Sequence, residues 1–191
     1  MEKTTTLPLF PLHAALVPGA LIVLRVFERR YLDLVRDCGR DGSGFGVCLI
    51  LEGEEVGAPA TPAAYGTEAR IEDFDLGEDG LLALRLRGRR RFRVVRTRVR
   101  DNGLVMGEVV WCMPEDPARL RPEHAVLATV LEKILEQIDP AAGNIPPAQR
   151  EDATWLGWRL AELLPISQGQ RLQLLQEDDP HARLDSLLAW V

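Results

Sequence analysis

Apolar residues recur with one period before Met113-Pro114 and with another after it. Upstream they alternate: Leu82, Leu84 and Leu86 face one way, and Ala83, Arg85 and Arg87 the other, as in a half-exposed strand. Downstream they return every three to four residues. Val126, Leu127, Val130, Leu131, Ile134, Leu135 and Ile138 form the stripe of an amphipathic helix. Such a division suits an α+β plan, with a strand-rich part holding one helix over 1–113 and a helical part over 114–191. Other features divide at the same place. All five Phe precede it and three of the four Trp follow it. The net charge of −6 falls entirely in the second part, because residues 1–113 hold 16 basic and 16 acidic side chains.

In the first part, Thr5–Phe10 and Ala20–Val26 read as strands, with Pro11 and Pro18-Gly19 punctuating the loop between them. A helix is expected from Glu28 to Cys38, where Tyr31, Leu32, Leu34, Val35 and Cys38 make an apolar stripe that Gly39 ends. Phe45–Leu51 reads as a strand buried on both faces. Thr67–Phe74 alternates. Further on, Phe92 and Val94 have one parity while Val95, Thr97 and Val99 have the other, so the spacing predicts a β-bulge between Val94 and Val95. Asp101-Asn102-Gly103 is a hairpin turn, and Leu104–Cys112 the returning strand. Many short strands with one inserted helix suggest a partly closed barrel.

In the second part, Pro122 suits the first turn of a helix that Pro140 stops. A second helix is expected from Pro146-Pro147 through Ala153 to Leu164. Ser167 and Gln170 have capping-box spacing. Asp179-Pro180 opens a last helix with Leu184, Leu187, Leu188 and Val191 inward.

No chemistry-bearing motif stands out. The only lysines, Lys3 and Lys133, each follow a glutamate, so the Gly-Lys-Ser/Thr of a phosphate-binding loop is missing. Ser43, Ser167 and Ser186 read as a turn, a cap and a helix position. His13, His124 and His181 are scattered without ligand spacing, and the three cysteines form no C-x-x-C pair. We therefore expect no catalytic residues, no metal and no cofactor. The free thiols suit a reducing cytoplasm. The most apolar stretch, Leu12–Leu24, is too short and broken to span a bilayer.

The sharpest local feature is a run of nine arginines and no acid from Arg85 to Arg100. It reads first as the solvated outer faces of two paired strands, balanced by acids on their neighbours. Arg90 and Arg91 are expected at the hairpin between those strands. Trp155 and Trp158 lie one turn apart on a helix, either as core or as an exposed aromatic patch.

Five stretches, in order, resemble the N-terminal substrate-binding domain of Lon proteases. The opening is Leu7-Pro-Leu-Phe-Pro-Leu12, Val17-Pro-Gly19 and Leu24-Arg-Val-Phe-Glu-Arg-Arg-Tyr31. Phe45–Ile50, Tyr65–Ile71 and Asp79-Gly80 running into Gly88–Arg93 follow, and the end runs from Leu163-Leu-Pro through 170–176 to Arg183-Leu184. The resemblance implies a PUA-like β-barrel followed by a helical bundle, the two together making one free-standing Lon N-terminal-type domain. It also implies a non-catalytic module without the family's ATPase and peptidase parts. Such a module would bind non-native polypeptides, or act as an adaptor for a protease partner; a homo-oligomer is compatible with it. Trp158 is the expected anchor, with Arg90 and Arg91 attracting acidic segments. The alternative implied by a PUA-like barrel is an RNA- or small-ligand-binding module. Against RNA, the arginine run lacks interleaved exposed aromatics, Phe92 being expected to face inward.

Overall fold

The first strand, β1 (Thr5–Leu12), lies between two partners distant in sequence. It runs parallel to β3 (Phe45–Glu52) and antiparallel to β6 (Val105–Trp111). β3 pairs with β4 (Thr61–Leu76), β4 with β5 (Leu82–Val99), and β5 returns to β6. Five strands thus close a ring, and β2 (Leu21–Val26) is added outside it along the first half of β5. The computed structural model describes residues 1–191 and divides into two compact units, Met1–Met113 and Pro114–Val191. The architecture is α+β, a mixed six-stranded sheet with six α-helices.

Inside the ring, Leu7, Leu9, Cys48, Phe92, Val105 and Val109 form a buried cluster, with Val94 and Trp111 packed against it. Two glycines make room for its largest ring. A Cβ at Gly46 or at Gly66 would come within 2.6 Å of Phe92 Cζ. Trp111 meets Phe92 edge-on, with centroids 6.0 Å apart.

The register of β5 against β6 shifts between Val94 and Arg96, so the bulge predicted from parity is present, with Val95 the extra residue. Thr97 and Val99 then stand opposite Gly107 and Val105, on the face of Phe92 and Val94. Val99 is nevertheless 54% exposed.

The expected hairpin at Arg90-Arg91 is not there. β5 is one continuous strand of 18 residues, and both arginines lie in its middle. Gly88, just before them, marks a close approach: a Cβ there would lie 2.3 Å from the Val17 carbonyl oxygen. The glycine serves the β2 side of the sheet and makes no turn.

α1 (Arg29–Asp41) continues past Gly39, the expected stop. Gly42, with φ 64°, takes the left-handed cap, and the Cys38 carbonyl accepts from the Gly42 and Ser43 N–H groups. Tyr31 stacks on Phe10 of β1, with centroids 3.8 Å apart, so the helix is fixed to the ring.

The second unit begins with a 3-10 turn at Pro122–His124 leading into α2 (Ala125–Ile138). α2 buries Leu127, Ala128, Leu131 and Leu135, whereas Val126 and Ile138, both expected in the inward stripe, are exposed. The expected second helix is two: α3 (Pro147–Arg150) and α4 (Ala153–Leu163). The backbone between them is taken by residues 118–120. Leu120 N–H donates to Glu151 O at 2.8 Å and Ala153 N–H to Ala118 O at 2.7 Å. Asp152 then caps α4, its carboxylate accepting from Thr154 N–H and Ala118 N–H. α5 (Gln168–Leu175) opens on a complete Ser167/Gln170 capping box. α6 (Pro180–Trp190) is capped by Asp179 with Pro180 in its first turn. It buries Leu184 and Leu187, but Leu188 and Val191 are exposed, contrary to expectation.

Candidate functional site

Two grooves of the first unit lie on either side of the C-terminal half of α1. One groove, of about 570 Å³, has α1 for one wall (Val35, Cys38, Gly39) and β4–β5 for the other. Ile71, Phe74, Leu82 and Leu84 make that second wall apolar, and Arg36, Arg70, Glu72 and Asp73 stand around it.

The register explains why this wall is apolar. Directly paired residues share a face, and three rows cross β2, β5 and β4 on one face. They are Ile22–Leu86–Ile71, Leu24–Leu84–Phe74 and Val26–Leu82–Leu76. Leu84 and Leu86 are fully buried, but the rows run outward to Phe74, 69% exposed, and Leu76, 70% exposed. The opposite face carries Val23–Arg85–Asp73 and Arg25–Ala83–Asp75.

A second cleft, of about 460 Å³, opens between α1 and β1–β6 and includes Glu68, Arg90 and Trp111. It is polar. Glu68 is only 4% exposed, and its carboxylate receives Arg70 and Arg90, each at 3.1 Å. Arg90 lies 3.7 Å above the Trp111 ring, and Arg70 also donates to the Gly42 carbonyl at the end of α1. Gly44 leaves the space that Glu68 occupies, since a Cβ there would lie 3.0 Å from Glu68 Cγ.

Four of the nine arginines of the run are ion-paired where they stand. Arg87 pairs with Glu72, Arg90 with Glu68, Arg93 with Glu2 and Arg96 with Glu108. Glu68 and Glu72 on β4 and Glu108 on β6 are acids on neighbouring strands, as expected, whereas Glu2 precedes β1, and the arginines up to Arg98 occupy one strand instead of two. Hydrogen bonds from Arg87 and Arg96 hold Glu72 and Glu108 below the usual carboxylate range.

The residues singled out from sequence fall in different units, Arg90 and Arg91 in the first and Trp158 in the second. Arg90 lines the second cleft. Arg91 is 4% exposed within β5, and its carbonyl accepts from Cys112 N–H. Trp158 is 5% exposed; its Nε1 donates to Glu115 at 2.6 Å and the Arg183 guanidinium lies 4.2 Å over its ring. Arg183, itself fully buried, donates to the same carboxylate at 2.7 Å. The Trp158 ring is therefore part of a packed polar cluster in the second unit and offers no exposed face.

Sequence reasoning missed one cluster. His124 is fully buried, its Nε2 lies 2.6 Å from Asp185, and its ring stacks on His181 at 5.9 Å. The pairing spans 61 residues, which no spacing rule reaches. Two of the three thiols are held in the neutral form by burial, which raises Cys38 and pushes Cys48 up to about 12.

A five-stranded ring with an added strand, an apolar groove beside α1 and a helical second unit define an α+β domain. The chain belongs to the substrate-binding domain family of the ATP-dependent protease La (Lon), whose model matches residues 6–191. Among solved structures it is similar to a Lon N-terminal domain protein from Xanthomonas campestris. That likeness has 66% identity, a TM-score of 0.84, and covers 98% of this chain and 99% of that one. It also shares its fold with the N-terminal domain of Mycobacterium avium complex Lon protease, at 21% identity, TM-score 0.69 and 97% coverage of each chain. A comparison with curated proteins gives no match. No helix is long and apolar enough to cross a membrane.

Proposed function

We propose that this chain captures non-native polypeptide in the apolar groove between α1 and β4–β5, as a recognition module that itself performs no hydrolysis. Membership of a substrate-binding family supports a recognition role. The observation that carries the choice of surface is the outward extension of the apolar rows to Phe74 and Leu76, each more than two-thirds exposed. Apolar side chains continuous with a groove are what an unfolded segment seeks and a native surface does not supply. Capture of this kind is sequence-tolerant and modest, around micromolar, about −8 kcal/mol. Arg90, half-exposed beside the neighbouring cleft, is the arginine we keep as an attraction for acidic segments. Arg91 and Trp158 we assign to structural support because both are buried. An adaptor role would follow if captured polypeptide were passed to a separate protease.

The test is fluorescence anisotropy with a labelled, permanently unfolded protein, its native form and a single-stranded RNA, at two salt concentrations. Binding of the unfolded form alone, weakened by Phe74→Ser, is the expected result. Tight RNA binding that falls steeply with salt, with no preference for the unfolded protein, overturns it.

A further inference from the structure

The free edge of β4 fits a particular kind of extended segment. β3 pairs with β4 only as far as Phe45↔Ala69, so from Ile71 to Leu76 β4 has β5 on one side and no strand on the other. The backbone there faces outward. Gly77 N–H points back to Leu81 O, whereas Phe74 N–H turns away from β5 and donates to the Asp73 side chain at 2.9 Å. An N–H and C=O row with no strand alongside it is a template for one more strand.

The two faces of this edge differ in chemistry. Ile71, Phe74 and Leu76 continue the apolar rows, while Asp73 and Asp75 stand on the opposite face. Of the other acids nearby, Glu72 is held by Arg87 and Asp79 by Arg25, while Glu78 lies past the end of β4 in the turn. Asp73 and Asp75 have no ion-pair partner.

Resting on the capture reading above, we propose that the groove receives its client by strand addition to Ile71–Leu76, and that the preferred client alternates apolar with basic residues. Successive side chains of an added strand point to opposite faces. One set enters the groove beside Phe74 and Leu76, and the other meets Asp73 and Asp75. Main-chain hydrogen bonds supply sequence-tolerant affinity, and the alternation supplies the preference. Asp73 releases Phe74 N–H to the incoming carbonyl and takes a lysine or arginine instead. The acids also blunt the edge against apolar strands that bring no positive charge.

The test uses the full chain and fluorescein-labelled eight-residue peptides: valine alternating with lysine, valine alternating with glutamate, and two lysine peptides N-methylated at odd or at even amides. The lysine peptide should bind at least about tenfold more tightly than the glutamate peptide. One N-methylated version should lose binding while the other keeps it, because only one set of amides faces β4. Amide exchange at Phe74 and Leu76 should slow when the lysine peptide is bound. Asp73→Lys with Asp75→Lys should reverse the order of the two charged peptides. If both N-methylated peptides bind like the parent, or the charge order does not reverse in a folded double variant, the strand-addition proposal is overturned, while capture of the unfolded protein stands on its own assay. If the chain sediments as a dimer with those amides already protected, a second copy holds the edge and the proposal is overturned. If neither the peptides nor the unfolded protein binds, the capture reading itself fails.

Discussion

Arg90 stacks 3.7 Å above Trp111 while its Nε donates to Glu68 at 3.1 Å, so one guanidinium both covers an aromatic ring and neutralises a buried carboxylate. The two partners are not equally dependent on it. Arg90 is half in solvent, whereas Glu68 is not. Replacing Arg90 by Met should destabilise the fold by about 1–3 kcal/mol, since Glu68 is left with Arg70 alone. Glu68→Gln should cost less, because the two arginines it releases can hydrate. Urea unfolding of both variants gives the comparison, and equal losses would count against this asymmetry.

Gly66→Ala should destabilise by about 1–3 kcal/mol through overpacking. The new methyl would meet Phe92 Cζ and Val47 O at 2.6 Å. Phe92→Leu removes part of the obstruction. The double variant should therefore lose less than the sum of the single losses, and strict additivity would show that the ring is not what excludes a side chain at Gly66.

Acid should weaken both units through their arginine-held carboxylates, Glu72 and Glu108 in the sheet and Glu132 on α2. The hydrogen bonds from Arg87, Arg96 and Arg150 lower the folded-state pKa of Glu72, Glu108 and Glu132 from the ordinary value of 4.5. A depressed carboxylate contributes stability that is present above its unfolded pKa and is lost as pH falls through the folded one. Stability from these pairs should hold from neutrality down to about 4.5 and decline below it. Glu72→Gln with Glu108→Gln should flatten that limb in a denaturation series against pH, and added salt should shrink the difference.

Thiol labelling should separate the cysteines. Cys38 and Cys48 are buried, and Cys48 is pushed up to about 12, so neither should react with a disulfide reagent at neutral pH in the native protein. Cys112, at intermediate exposure, should be the thiol modified first. Modification of all three at one rate under native conditions would contradict this burial pattern.

Ser167→Ala should cost about 1 kcal/mol, because Ser167 and Gln170 each satisfy a backbone N–H of the other at the start of α5. Gln170→Ala should lose part of the same amount. Thermal melts of the two single variants and the double variant test whether they act as one unit.

What could be read from the sequence was local. The bulge at Val95 follows from side-chain parity, and the caps at Ser167 and Asp179 follow from spacing within one turn. The change of period at Met113-Pro114 marked where strands give way to helices. What could not be read depended on partners far away. A hairpin was expected at Arg90-Arg91, but the strand runs on, and the reason for Gly88 just before them is the Val17 carbonyl behind it. Trp158 had the composition of an anchor, and only Glu115 and Arg183 place it inside a packed cluster. The groove was half visible: Leu82, Leu84 and Leu86 announced an apolar face. Which end of it stays open depends on where β3 stops beside β4, a register that no pattern within either strand encodes.

The pairing of Thr5 with Val109 also bears on how the chain is made. During synthesis β1 is the first strand to emerge, yet one of its two neighbours is the last of the ring. Until residues near 111 have cleared the ribosome, the nascent ring stays open with an apolar interior and an unsatisfied edge. Such high contact order slows folding and lengthens the interval in which a growing chain can associate wrongly.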